Sequence, residues 1–221
     1  LLDTSFINNS TGATEFYFSQ KLDTLSFTVT KKDSCTTAFH FYGAYLENNE
    51  PGIIYTGIGI NGAATHSYLK EQLFEKHLAT VKPDLVILSI GVNDASGPGF
   101  NEVVYVFNYK KIIDKIMSVN PDCAILLTTN NDFYYYRGGV NPHAASVYSG
   151  MKRVADFYGG SVWNMYRVMG GYKSINLWKS DNLANKDRIH FTRDGYTIIA
   201  DLLFDAILKD FTNYLQTLPE D

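Results

Sequence analysis

The chain has 221 residues, 45% of them hydrophobic, and a formal net charge of −4. This length and composition are typical of a globular protein with one sizeable core. The acidic balance and the lack of any Lys/Arg cluster argue against a nucleic-acid-binding surface. No apolar stretch approaches the roughly 18 residues of a membrane-spanning helix.

Residues 1–50 are predicted to form a β-rich segment. Three stretches there are rich in aromatic and β-branched residues, which favour strands: Phe16–Phe18, Leu25–Thr30 and Ala38–Leu46. The connections between them carry Asn, Gly, Ser and Pro, the residues typical of turns. We therefore expect short strands in this part of the chain.

Residues 51–221 change to a pattern of alternating strands and helices. Strands are predicted from apolar runs at Ile53–Ile60, Asp84–Ile90, Cys123–Thr128 and Ser161–Met165. Helices are predicted between and after them, at 65–78, 103–119, 142–158 and 195–214. For the last helix, the spacing predicts a buried stripe made of Ile199, Leu202, Leu203, Ala206 and Ile207.

Strands separated by helices of this length indicate βαβ units. The predicted fold class is therefore α/β, with a doubly wound and mostly parallel sheet in a flavodoxin-like three-layer sandwich. The β-rich segment would precede this domain. In sheets of this kind, ligands bind beyond the carboxyl ends of the strands.

Three short motifs fall at that edge of the predicted sheet. Gly59-Ile-Asn-Gly62 follows the first predicted strand of the domain, and Gly91-Val-Asn-Asp94 follows the second. Asp187-Arg-Ile-His190 lies in the long connection after the last strand. A carboxylate close to a histidine can fix its tautomer and stabilise the imidazolium, as a general base requires.

Each motif also has a purely structural interpretation. Gly62 could satisfy a tight turn, Asn93 and Asp94 could form a turn or cap a helix, and His190 could be a core histidine. Three motifs at one edge of one sheet favour a common active site over these separate explanations.

The three motifs, in this order and spacing, resemble the second, third and fifth conserved blocks of the SGNH (GDSL-like) hydrolase family. The flanking stretches YTGIGINGAATHSYL and RIHFTRDGY resemble the bacterial branch with carbohydrate and peptidoglycan O-acetylesterases. The resemblance implies a serine esterase in which Gly62 and Asn93 donate to the oxyanion and Asp187 orients the base His190. It implies no cofactor and no metal.

The resemblance is incomplete because Gly-Asp-Ser, the block that carries the family's nucleophile, does not occur in the sequence. Ser5, in Leu2-Asp3-Thr4-Ser5, lacks both the glycine and a preceding apolar strand. We expect the chain to begin downstream of the serine, with residues 1–50 as the tail of an inserted β module. A missing N-terminal segment or a second chain would then complete the sheet.

The predicted function is removal of O-acetyl or other short acyl groups from a carbohydrate or peptidoglycan, so the expected partner is an acylated glycan or small ester. Tyr135 and Arg137 could line a sugar-binding lip, although their aromatic loop could equally pack against the sheet. A non-catalytic glycan-binding protein and a flavodoxin-like nucleotide-binding domain are the alternatives. The resemblance implies a periplasmic, envelope or secreted bacterial location.

Overall fold

A computed structural model describes residues 2–31, 33–35, 38–48, 50–135 and 138–219. At the N-terminus, β1 (Leu2–Ile7) and β2 (Thr14–Phe18) form an antiparallel two-stranded sheet. The predicted strands at Leu25–Thr30 and Ala38–Leu46 are wrong, since the described residues there have no regular secondary structure. Their side chains suit a strand, but a strand forms only where a neighbour takes up its backbone hydrogen bonds.

The remaining elements alternate helices and strands along the chain. In order they are α1 (Thr65–Leu69), α2 (Phe74–Val81), β3 (Leu85–Leu88), α3 (Val92–Ala95), α4 (Glu102–Val119), β4 (Ala124–Thr128), α5 (His143–Tyr158), β5 (Ser161–Trp163), α6 (Met165–Val168), α7 (Ser174–Ser180) and α8 (Arg193–Leu215). Helices α4 and α5 end at the predicted residues, 119 and 158, and each begins within one residue of its predicted start. The Asn101 side chain caps the start of α4, and the left-handed Gly159 ends α5.

Strands β3, β4 and β5 form a parallel sheet in that spatial order. Their carboxyl ends lie at one edge, because parallel pairing sets Leu88 beside Leu127 and Thr128 beside Trp163. The predicted α/β class with a parallel sheet is confirmed. The predicted edge for a functional site is therefore the one from which the chain leaves at residues 89, 129 and 164.

The main core lies between one face of this sheet and helices α4 and α5. Its buried members are Tyr105, Tyr109, Ile112, Ile113, Ile116, Cys123, Ile125, Leu127, Val147, Met151, Val154 and Ala155. The alternate residues of β3 point the other way, and Leu85 and Ile87 remain 45% and 38% exposed. The two faces of the sheet are thus covered unequally.

Three predictions for the second half of the chain need correction. Ile53–Ile60 is not a strand; it is exposed and has no ladder partner among the described residues. The helix predicted at 65–78 is two helices, α1 and α2, separated at residues 70–73. The predicted stripe on α8 is half-buried at four of its five positions and exposed at Leu202, and its first member, Ile199, packs against a small core cluster that includes Ile175. No described helix combines the length and hydropathy needed to cross a bilayer.

Candidate active site

His190 and Asp187 form a hydrogen-bonded pair at the carboxyl edge of the sheet. His190 Nδ1 lies 2.8 Å from Asp187 Oδ2, and the histidine side chain is 62% exposed. If Nδ1–H donates to the carboxylate, Nε2 is left as an unprotonated acceptor that faces solvent. The structural alternative of a core histidine is therefore wrong, and the arrangement is that of a general base with its orienting carboxylate.

The backbone of this short segment wraps around the carboxylate. Asp187 Oδ1 accepts hydrogen bonds from the backbone N–H groups of Ile189 and His190, at 2.9 and 3.1 Å. Arg188 between them has a φ of 57°, a left-handed conformation that turns the chain back. Asp187 thus fixes both the ring of His190 and the backbone that carries it.

The pKa of Asp187 reflects opposing effects. Partial burial raises the pKa of the carboxyl. Hydrogen bonds from the His190 ring and from the Ile189 and His190 backbone together lower the pKa by more than burial raises it. The net result is a pKa below the ordinary range, so Asp187 is ionised at neutral pH. An ionised carboxylate is the form that stabilises a protonated imidazole.

The loop that carries the histidine is attached to the segment that follows β4. Asn131 Nδ2 donates to the Ile189 carbonyl at 3.1 Å, and the Tyr134 backbone N–H donates to the Arg188 carbonyl at 3.0 Å. The Arg188 guanidinium also lies 4.6 Å from the centre of the Tyr134 ring. These contacts hold the histidine loop at the carboxyl end of the central strand.

Gly62 and Asn93 meet at the neighbouring strand end. Asn93 Nδ2 donates to the Ala63 carbonyl at 2.9 Å, so the first two motifs are joined directly. Gly62 is exposed with a φ of 74°, and its N–H has no acceptor among the described residues. The Gly62 N–H and the second N–H of the Asn93 amide are therefore both left without a partner among the described residues, at adjoining turns.

Asp94, the neighbour of Asn93, has a structural role. Its carboxylate accepts from the backbone N–H of Thr65 at 3.0 Å and from the Thr65 hydroxyl at 2.6 Å. Thr65 is the first residue of α1 and is fully buried. The structural interpretation as a helix cap therefore fits Asp94, which accepts from the first residue of α1, whereas the Asn93 side chain bonds to the turn at Ala63.

Gly91 gives the strand-to-helix turn its shape. Its φ is 133°, and a Cβ at this position would overlap the Tyr105 hydroxyl and approach Asn130 Oδ1 to 2.8 Å. The hydroxyls of Tyr105 and Tyr109 both donate to the Ile90 carbonyl, at 3.0 and 2.6 Å. The backbone that presents Asn93 is thus fixed from beneath by two core tyrosines.

A small buried cluster connects the two halves of the site. Ala95, Phe133 and Ala144 are completely buried together, and Val92 packs against them. Asn141 Nδ2 also donates to the Ala95 carbonyl at 2.6 Å. The turn that holds Asn93 therefore rests on Phe133, which directly precedes the residue bonded to the histidine loop.

A cleft of about 200 Å³ lies between the exposed segment at 58–60 and the end of β3. Its lining residues are Ile58, Gly59, Ile60, Ala63, Tyr68, Ser89, Ile90, Gly91, Val92 and Asn93. The cleft lies just beyond the carboxyl end of β3, an outer strand of the described sheet. It gives access to Asn93 from the uncovered side of the sheet.

The other sequence candidates are placed less directly. The Tyr135 ring lies 6.2 Å from the ring of His143, at the start of α5, and its backbone closes a turn with Gly139. That contact is the loop packing that the sequence left open. Arg137 lies outside the described residues. Ser5 lies within β1 and pairs with Phe16 of the N-terminal hairpin, not with a strand of the parallel sheet.

The sequence interpretation missed the polar segment that follows β4. Thr128, Thr129, Asn130, Asn131 and Asp132 are five consecutive polar residues, and all are buried. Buried polar groups are normally hydrogen-bonded, yet Thr128 Oγ1, Asn130 Nδ2 and Asp132 Oδ1 have no partner. A polar run at the end of an apolar strand was the available signal.

No described group of three or more acidic, His or Cys residues could hold a metal ion.

Among the solved structures that are similar to this chain, three illustrate the likeness. A peptidoglycan O-acetylesterase is 27% identical with a TM-score of 0.63, over 68% of this chain and 45% of its own. An acetyl xylan esterase is 22% identical with a TM-score of 0.54, over 68% and 79%. A GDSL-like lipase from Bacteroides thetaiotaomicron is 23% identical with a TM-score of 0.52, over 71% and 76%. This chain thus spans less than half the length of the first, and no curated protein matches it.

The sequence profile of the GDSL-like lipase/acylhydrolase family matches residues 26–198, which is more than half of the chain and includes all three motifs. The similar structures have the same α/β fold and include esterases. The His190–Asp187 contact and the Asn93–Ala63 hydrogen bond, both near the carboxyl edge of a parallel sheet, agree with that match. The chain therefore belongs to the GDSL-like lipase/acylhydrolase family of esterases.

Proposed function

We propose that this protein hydrolyses acyl esters on a carbohydrate, with acetyl as the acyl group and peptidoglycan or another glycan as the carrier. The observation that carries the proposal is the 2.8 Å contact between Asp187 Oδ2 and the exposed His190 ring. The similarity to a peptidoglycan O-acetylesterase, at 27% identity, supports the substrate class.

In the proposed reaction, His190 Nε2 takes the proton from a nucleophilic hydroxyl as that oxygen bonds to the acyl carbon. The negative charge on the former carbonyl oxygen is stabilised by the N–H groups of Gly62 and Asn93. The imidazolium, balanced by Asp187, then protonates the departing sugar oxygen. Water, activated by the same histidine, hydrolyses the acyl-enzyme and releases the acid.

We propose further that a segment outside these 221 residues supplies the nucleophile, either on the same polypeptide or on a second chain. Three features support this. The outer edge of β3 has no described strand neighbour, Leu85 and Ile87 are exposed on its uncovered face, and the adjoining cleft borders Asn93. A strand paired to β3 would bring its carboxyl end beside the oxyanion donors.

Hydrolysis of an aryl acetate by the complete gene product tests the proposal. We expect His190→Ala to lower kcat by about 10⁴-fold, since it removes the base. His77→Ala is the matched control, because it removes an exposed histidine on α2 and is expected to leave kcat unchanged. Equal turnover by wild type and His190→Ala would end the proposal.

A non-catalytic glycan-binding protein is the second candidate. It is favoured by one observation, namely that Gly-Asp-Ser is absent from the sequence. It predicts saccharide binding without acetate release, even by the complete gene product. Acetate release that depends on His190 would exclude it.

A peptidoglycan or extracellular glycan substrate would require a location outside the cytoplasm. We therefore propose a bacterial envelope or secreted setting. Fractionation of the source cells, with immunodetection of the chain, tests this. Recovery in the cytoplasmic fraction alone would contradict it.

A further inference from the structure

A second cavity, of about 350 Å³, opens beyond the carboxyl end of β5. Its lining residues are Tyr148, Asn164, Tyr166, Arg167, Gly170 and Gly171. This volume falls within the usual range for small-molecule sites. None of these residues belongs to the three motifs, and none has a role in the hydrolytic site described above.

The walls of the cavity are fixed by hydrogen bonds within the protein. Asn164 Oδ1 accepts from the Arg167 backbone N–H at 3.0 Å, and Thr129 Oγ1 accepts from the Tyr166 backbone N–H at 3.1 Å. The Gly171 N–H closes a turn onto the Tyr166 carbonyl at 2.8 Å. Gly170 and Gly171 both have positive φ, so this turn is one that larger residues would strain. The cavity is thus preformed.

The lining offers hydrogen-bond donors and no carboxylate. Because Asn164 Oδ1 is used internally, its Nδ2 is the group left for a ligand. Burial, together with the Asp132 carboxylate behind the cavity wall, raises the pKa of Tyr166, so its hydroxyl is a protonated donor. Arg167 is exposed and forms no ion pair with any described carboxylate. The chemistry of the lining therefore suits a ligand rich in acceptors, and an anion above all.

The tyrosines add apolar surface to these donors. Tyr148, on α5, is 38% exposed, and Tyr166 is partly buried at the cavity wall. An aromatic face can pack against the C–H face of a pyranose ring, while the sugar hydroxyls reach polar groups at the rim. Rings combined with an arginine and an amide thus match a sugar that carries a carboxylate.

The cavity is close to the hydrolytic site. Tyr166 packs on the same buried cluster of Ala95, Phe133 and Ala144 that supports the turn of Asn93. Asn93 follows β3 and Asn164 follows β5, and these strands are separated by β4 alone. Two strand spacings are about 10 Å. One extended ligand could therefore reach both places along the edge of the sheet.

We propose that this cavity is a subsite for a carboxylate-bearing sugar unit of the glycan whose ester is cleaved, with Arg167 on the carboxylate and Tyr148 against the ring. The proposal rests on the proposed function in one respect, namely that the glycan bound here is the one whose ester is cleaved. The subsite would select anionic glycans and fix their orientation across the edge of the sheet.

Binding of tetragalacturonate and of its carboxyl-reduced, neutral counterpart to the full chain tests the proposal by isothermal titration calorimetry. We expect the anionic probe to bind at least about tenfold more tightly, because a hydrogen bond to a charged group contributes roughly 1.5–3 kcal/mol. Arg167→Gln should remove this preference. Tyr148→Ala should lower the affinity for both probes by about two- to tenfold, and Tyr148→Phe, which keeps the ring, should bind them as tightly as wild type does.

Arg153→Gln is the control, because it makes the same charge change at an exposed position paired with Glu102. Equal affinity for the two probes, or affinities that Arg167→Gln and Tyr148→Ala leave unchanged, would overturn the proposal. Hydrolysis plays no part in this titration. Absence of aryl acetate turnover would therefore reject the proposed function without affecting the binding result.

Discussion

The side chain of Asn93 donates a hydrogen bond to the backbone carbonyl of Ala63 at 2.9 Å, across 30 positions of sequence. This bond fixes the distance between the Asn93 amide and the turn at Gly62. Two donors that are held in place before the reaction need no reorganisation when charge develops on the substrate. The proposed role of Asn93 and Gly62 in oxyanion stabilisation depends on this hydrogen bond.

Asn93→Ala should lower kcat of the complete protein by about 100- to 1,000-fold. The change removes the Asn93 donor and also the hydrogen bond to Ala63 that holds the turn at Gly62. Asn93→Asp is the matched variant, since it keeps the shape and loses the donor, and it should lower kcat comparably. Steady-state kinetics with an aryl acetate provide the measurement. A rise in KM with unchanged kcat would instead assign Asn93 to substrate binding.

Asp94→Ala should destabilise the chain by about 2 kcal/mol, since it leaves the buried Thr65 N–H and hydroxyl without their acceptor. Asp94→Asn retains an acceptor oxygen, so its free energy of unfolding should fall by less than that of Asp94→Ala. Urea unfolding followed by circular dichroism measures both. Wild-type stability in Asp94→Ala would show that another group replaces the carboxylate.

The strands and helices that the sequence predicted well are those whose partners are close along the chain. β3, α4, β4, α5 and β5 are neighbours in chain order and pack against one another, so the periodicity of each agrees with its environment. Ile53–Ile60 has an equally apolar sequence and is not a strand, because no described strand lies beside it. Propensity describes a segment, whereas a sheet requires a neighbour.

The candidate site was predictable where its chemistry is local. Asp187 and His190 are three positions apart, so their side chains can meet without help from distant parts of the chain, and the two other motifs at the same edge drew attention to this pair. The support of the loop by Asn131, which follows β4, depends on a contact across 58 positions that no pattern specifies. The cavity at Arg167 was missed for the same reason, since its walls come from α5 and from the segment after β5.

The stability contributed by Asp187 should depend on pH. Its folded-state pKa is lowered, so its contribution is complete above the unfolded value, about 3.9 for an aspartate, and is lost as pH falls through the folded value. Wild type should therefore be more stable than Asp187→Asn at pH 7, and the difference should shrink toward pH 3. Chemical denaturation at both pH values measures it. A difference that grows on acidification would contradict the lowered pKa.

Gly91→Ala should destabilise the protein by at least about 3 kcal/mol, because it combines a strained positive φ with overlap in a packed interior. The Cβ would meet the Tyr105 hydroxyl and Asn130 Oδ1. The double variant Gly91→Ala/Tyr105→Phe should recover part of this loss, since it removes the hydroxyl while Tyr109 still donates to the Ile90 carbonyl. Thermal and urea unfolding of the single and double variants measure the coupling.

Gly97→Ala, in the neighbouring loop, is the control for this series. A Cβ at position 97 would have no heavy atom within 4 Å, so we expect a change within about 0.5 kcal/mol of wild type. If Gly91→Ala lowered the free energy of unfolding no more than Gly97→Ala does, the turn before Asn93 would have to tolerate a shift of its backbone. Tyr105 would then not determine the position of the Asn93 amide, and kcat in Gly91→Ala should be close to wild type.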